Sequence, residues 1–141
     1  IYGTWPALTA LEVAGENLNQ EYIRDAVKWI YSVQNDDGGW GESNDSYYPP
    51  KHPRPYPSTS FQTAWALLGL MAVDDVHSIS VKRGIDFLLC RQQADGFWLD
   101  ANFTAPGFPR VFYLKYHGYC KYFPLWAIGQ YRNRMRGLEL N

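Results

Sequence analysis

Apolar residues recur at helical spacing in five blocks along the chain, and the breaks between blocks are made by glycine, asparagine, aspartate and proline. The stretch from Trp5 to Val13 places Leu8 and Leu11, with Ala7 and Ala14, at such intervals before Gly15 offers a C-cap. From Glu21 the set Tyr22, Ile23, Ala26, Val27, Ile30 and Val33 predicts a second helix, closed by Asn35-Asp36-Asp37-Gly38-Gly39. Five prolines between Trp40 and Ser60 (Pro49, Pro50, Pro53, Pro55, Pro57) exclude a regular helix or central strand, so a long stiff loop is expected. Ser58, Thr59 or Ser60 can then cap a third helix carrying Ala64, Trp65, Leu67, Leu68, Leu70 and Met71, whose broad apolar coverage predicts deep burial up to Asp74-Asp75. A fourth runs from Ser80 with Val81, Ile85, Leu88 and Leu89 and closes on Gln93-Ala94-Asp95-Gly96. A last one is read from Lys121 to Arg136, with Phe123, Trp126, Ala127 and Ile128 inward and Arg132, Arg134 and Arg136 near its C-terminus, where cations are favourable.

The pattern repeats. Gln34 to Trp40 and Gln92 to Trp98 each show Gln, then Asp-Gly, then Trp, 58 residues apart, and Ala7-Leu8 with Leu11 matches Ala66-Leu67 with Leu70 at an offset of 59. Each repeat is therefore a helical hairpin followed by a Gly-Trp turn, in which Gln34, Gly39 and Trp40, or Gln92, Gly96 and Trp98, act as structural staples. A glutamine amide can satisfy backbone groups at a helix end while packing on an indole. Stacked hairpins share buried faces, and a closed stack is an (α/α) barrel, so the fold class is all-α.

Composition narrows function. Thirteen Lys and Arg against fourteen Asp and Glu give a net charge of -1, which disfavours nucleic acid as a partner. No run of about 18 apolar residues exists, and the first residues lack a basic then apolar pattern, so neither a spanning helix nor a secretory signal is read. Cys90 and Cys120 show no metal-ligand spacing and are expected as reduced core thiols. His52, His77 and His117 come from unrelated segments, so no metal is assigned. Asp36-Asp37 and Asp74-Asp75 sit at helix ends and read as turns, and the arginines of the last helix as a solvated face. The excess is aromatic: six Trp, eleven Tyr and seven Phe, 17% of the chain, more than a small core needs.

The two turns resemble the repeated Gln/Trp motif of the squalene and oxidosqualene cyclases. Three further stretches sharpen the likeness to the squalene-hopene branch: Ile1-Tyr2-Gly3-Thr4, Ser58 to Leu67 with its Thr-Ala-Trp-Ala-Leu core, and Gly107 to Tyr119. Phe-Pro-Leu-Trp-Ala at Phe123 to Ala127 points the same way. The resemblance covers residues 1–141 and corresponds to the C-terminal part of that family, so the chain is expected to be a segment of a larger barrel, without the Asp-x-Asp-Asp acid motif that lies upstream in family members.

The resemblance implies a reaction that protonates and cyclises squalene to hopene or hopanol with no cofactor. It implies that Tyr2 joins the hydrogen-bond network of the catalytic acid, and that Phe108 and Phe112 line the cavity near late ring cations. Leu114 would shape the wall, and Tyr116 and Tyr119 would add rings and hydroxyls. It further implies squalene as partner, the rest of the parent barrel around this segment, an optional homodimer, and peripheral, monotopic attachment on the cytoplasmic side of a membrane through the parent protein. From the residues alone these rings could equally be buried core. Two other functions stay open: a protein prenyltransferase β-subunit-like barrel, which would require zinc and a partner subunit, and a non-enzymatic helical-repeat module binding through the loop from Tyr47 to Tyr56.

Overall fold

The computed structural model describes residues 1–48, 55–104, 108 and 110–137. Pro49, Pro50, His52, Pro53, Gly107 and Pro109, which enter the sequence reading, lie outside the described residues. The fold is all-α, with five α-helices: α1 (Thr4–Val13), α2 (Glu21–Ser32), α3 (Ser60–Ala72), α4 (Ile79–Arg91) and α5 (Tyr119–Met135). A short 3-10 turn covers Asn44–Tyr47, and the only β-type pairings among the described residues are isolated bridges, Trp40 with Thr59 and Thr104 with Leu114. No helix of the described residues is long and apolar enough to cross a membrane.

From Ala64 onward α3 is apolar on every side, and all thirteen of its residues are buried. It packs most extensively on α5, then α1, then α4, and least on α2. Its start is set by Thr59, whose hydroxyl accepts the Gln62 N–H at 3.2 Å, and α4 is opened likewise by Ser78, which accepts from Val81 N–H at 3.1 Å. α5 starts at Tyr119, before the Lys121 read from the sequence, and holds Pro124 within its second turn.

Several expected inward positions face out. Ala7, Ala14 and Tyr22 are exposed, as is Leu89 on α4. Cys120 is buried, but Cys90 is exposed, so it is not a core thiol. The reason is angular: Val81, Gly84, Ile85 and Leu88 form the buried stripe of α4, and a residue two past Leu88 lies about 200° round the helix. Trp126 is 45% exposed for a related reason, since Phe123 and Ala127 hold the inward stripe of α5 and Trp126 flanks it. Arg134 is not a solvated cation either: it is half-buried, bonded to Glu12 at 2.8 Å and Asp74 at 3.3 Å, and so ties the end of α5 to α1 and to the turn after α3. Asp75 in that turn accepts a hydrogen bond from the Tyr31 hydroxyl, and burial, then this bond, push the phenol up to about 12.

The two Gln/Trp turns share one hydrogen-bond scheme. Gln34 Nε2 donates to Gly38 O, and Gln92 Nε2 to Gly96 O, both at 2.8 Å. Trp40 Nε1 donates to Ile30 O at 2.8 Å, and Trp98 Nε1 to Leu88 O at 2.7 Å, so each indole satisfies a carbonyl near the end of the preceding helix. Asp37 and Asp95 each accept the N–H two residues on at 3.0 Å, closing Asx turns around Gly38 (φ 86°) and Gly96 (φ 84°), where a side chain would be strained. The left-handed residue of the first turn is therefore Gly38, whereas Gly39 occupies the place of Phe97 and packs against Ser58 and Phe87.

The copies differ in reach. Gln34 also donates to Ser80 O at 2.9 Å in the first turn of α4 and is half-buried, while Gln92 is exposed. Gln34→Ala is accordingly expected to lower stability by about 1 to 3 kcal/mol, and Gln92→Ala by under about 1 kcal/mol. Urea unfolding of matched variants checks the order, and equal midpoints would remove Gln34 as the inter-repeat staple.

Candidate functional site

α3 carries both halves of the site because adjacent residues on its first turns point to different neighbours. Gln62, buried at the helix start, grips the extended segment after Trp40 as a strand would: its Oε1 accepts Glu42 N–H at 2.9 Å and its Nε2 donates to Glu42 O at 3.2 Å. The Thr59 hydroxyl steadies the same Oε1 at 2.9 Å. Thr63 holds Trp40 in the same way, accepting its N–H at 2.9 Å, while Thr59 N–H donates to Trp40 O at 3.0 Å. These bonds leave Glu42 to Asn44 as the rim of a cavity of about 470 Å³, whose other walls are Ile1 to Gly3, Gln62 and Trp65 of α3, Ser46, Tyr47, Phe103, Thr104 and Tyr119 of α5.

Trp65, 3% exposed, is the hub of the apolar wall. The rings of Tyr2, Phe61, Phe123 and Tyr119 meet it edge-on at 4.9, 5.0, 5.5 and 5.7 Å, and Trp5 lies parallel at 6.3 Å. Edge-on pairs of this kind add about 0.5 to 1.5 kcal/mol each beyond burial, so the wall is stiff. The Trp65 indole N–H is the one buried side-chain donor or acceptor without a partner among the described residues. Burial, then the neighbouring Tyr122, Tyr116 and Tyr2, raise the Tyr119 phenol above its ordinary value, so it stays neutral well past neutral pH.

Of the site residues read from the sequence, Tyr2 and Tyr119 line this cavity. Tyr116 adjoins it, stacked on Tyr119 with ring centroids 4.6 Å apart and planes 14° apart. Leu114 exchanges both backbone hydrogen bonds with Thr104, a wall residue, at 2.8 and 3.0 Å. Phe108 and Phe112 pair with each other at 5.8 Å, stand 62% and 42% exposed, and do not line the cavity. Sequence reasoning did not single out Gln62 and Thr63 or see Trp65 as a hub; polar residues in the first turn of a helix that is otherwise apolar were the available signal. Among the described residues no three His, Cys, Asp or Glu side chains gather as a metal-binding set.

Residues 1–133 match the family described as squalene-hopene cyclase C-terminal domain, and the chain belongs to that family. It is 53% identical over 134 residues to a squalene-hopene cyclase of Zymomonas mobilis and 52% identical over 134 residues to one of Bradyrhizobium diazoefficiens, covering 94% of this chain and 20% of each relative. Mouse lanosterol synthase is 33% identical over 136 residues, covering 94% of this chain and 18% of the relative. The chain thus spans about a fifth of the length of the curated relatives it matches.

Proposed function

We propose that the chain serves as the C-terminal segment of a triterpene cyclase that converts squalene to hopene or hopanol by protonation-initiated polyene cyclisation. The observation that carries the reading is the ring wall around Trp65, in a chain whose 53% identical relative is named squalene-hopene cyclase. The chemistry explains why such a wall is useful. Each carbocation must be held while water is kept away, and an aromatic face offers negative quadrupole density without a nucleophile, worth about 2 kcal/mol or more when desolvated. A neutral phenol suits this role, whereas a phenolate would quench the cation, and burial of the Tyr119 phenol favours its neutral form.

In this reading Tyr2 helps orient the acid that starts the reaction, and Phe108, Phe112, Leu114, Tyr116 and Tyr119 form the wall for late cations when the rest of an (α/α) barrel closes over them. No cofactor takes part. The assembly is an optional homodimer attached to the membrane surface through the remainder of the protein. The prenyltransferase and binding-module alternatives are not favoured, because the family match runs from residue 1 to 133.

Protonating an alkene needs a strong, well-placed acid, and no Asp-x-Asp-Asp sequence occurs in these 141 residues. Full-length protein incubated with squalene is expected to give a pentacyclic product by gas chromatography, and residues 1–141 alone to give none. Cyclised product from the purified chain overturns the segment role. Its absence from folded full-length protein overturns the cyclase assignment.

A further inference from the structure

The residue two places beyond the tryptophan of each Gln/Trp turn is acidic: Glu42 follows Trp40 and Asp100 follows Trp98. In the second repeat this carboxylate reaches back to where the first helix of its own hairpin begins. Asp100 Oδ1 and Oδ2 accept the Ser60 N–H at 3.1 and 3.0 Å, and the Ser60 hydroxyl donates to Oδ2. Glu42 Oε2 pairs with the N-terminal ammonium of Ile1 at 2.8 Å, a charge that an internal residue at this position lacks. The two acids are 58 residues apart, the offset of the repeat itself. Ser60 is 3% exposed, so its N–H, one of the donors a helix start leaves without an intrahelical acceptor, depends on Asp100. A negative charge there also opposes the positive end of α3.

We propose that Asp100 is a positioning residue of the cavity, fixing the helix start that carries Gln62 and Trp65 of its wall. Asp100 holds Ser60, two residues before Gln62 and five before Trp65. Glu42 is held by Gln62 through its backbone. The two repeats are thereby coupled: the second turn sets α3, and α3 sets the rim at Glu42. The cyclase reading supplies only the product readout of this proposal. The coupling can be measured without it.

The test uses full-length protein with Asp100→Ala and Asp100→Asn, the latter keeping a carbonyl acceptor that caps as well as aspartate. Hydrogen exchange read at single amides is expected to rise tenfold or more at Ser60 and at Glu42 in Asp100→Ala, while Leu67 to Leu70 keep their protection, and Asp100→Asn should restore both sites. With squalene, Asp100→Ala is expected to shift the ratio of complete to incomplete products by roughly tenfold, at nearly unchanged KM, since small misplacements of a site act on the reacting geometry. Asp100→Asn should return the wild-type ratio. Ser60→Pro removes the donor at a helix position that tolerates proline and should copy Asp100→Ala, which covers the case in which Asp100→Ala does not fold. Unchanged exchange at Ser60, raised exchange with wild-type products, or an asparagine variant as impaired as alanine would each overturn the proposal. If wild-type protein forms no cyclised product, the cyclase reading falls and exchange at Glu42 decides the coupling by itself.

Discussion

Trp40→Ala is expected to lower the unfolding free energy by about 4 kcal/mol, a large part of the 5 to 15 kcal/mol that holds a domain together. Trp40 is fully buried, its Nε1 satisfies Ile30 O, and its backbone is held by Thr59 and Thr63, so one residue joins the end of α2 to the start of α3. It also reaches α4. A methyl group on Gly84 would lie 2.7 Å from Trp40 Cζ3 and 2.8 Å from Leu67 Cδ2, so glycine there lets the indole lie against the helix. The contact predicts coupling: Gly84→Ala should cost about 1 to 3 kcal/mol in the wild type through overpacking, and markedly less beside Trp40→Ala, where the methyl enters space the indole vacated. A double-mutant cycle by urea unfolding reads this term. Additive costs would mean that Trp40 and Gly84 do not share a contact.

The helices were legible because their packing follows local periodicity. α3 announced itself as apolar on all sides from Ala64 onward, and the 58-residue repeat of Gln and Trp pointed to two turns that share the same hydrogen bonds from Gln34 and Trp40 and from Gln92 and Trp98. Periodicity erred at the edges of stripes, as at Leu89, Cys90 and Trp126, because spacing gives the face of a helix without saying how wide its neighbours are. The site was less legible. The Gln62 grip on Glu42 spans 20 residues and the Asp100 bond to Ser60 spans 40, and neither partner has a local reason to favour the other. Only the repeat connects them, once the acid two places past each Trp is read as part of it. Tyr2 and Tyr119 were reached through family resemblance, and their meeting across Trp65 comes from the packing of α1 and α5 on α3.

Phe112→Ala in full-length protein is expected to release incompletely cyclised products while the first protonation persists. If Phe112 holds the role proposed for it, losing a ring contact worth about 2 kcal/mol to a late cation changes the competition between further ring closure and early deprotonation by roughly 30-fold. Phe112 and Tyr116 are 42% and 40% exposed within this segment, so truncating them removes little of its own buried core, and comparing equal amounts of folded full-length protein separates the effect on products from folding. Tyr116 allows a finer comparison. Its ring stacks on Tyr119, so Tyr116→Phe keeps both the stack and the π face and loses only the hydroxyl, whereas Tyr116→Leu loses all three. Products should therefore change more in Tyr116→Leu than in Tyr116→Phe, as measured by gas chromatography on equal amounts of folded enzyme. Wild-type products from both Tyr116 variants, or activity in Phe112→Ala that falls only in step with folded protein, would place these rings in structural packing and away from the cation.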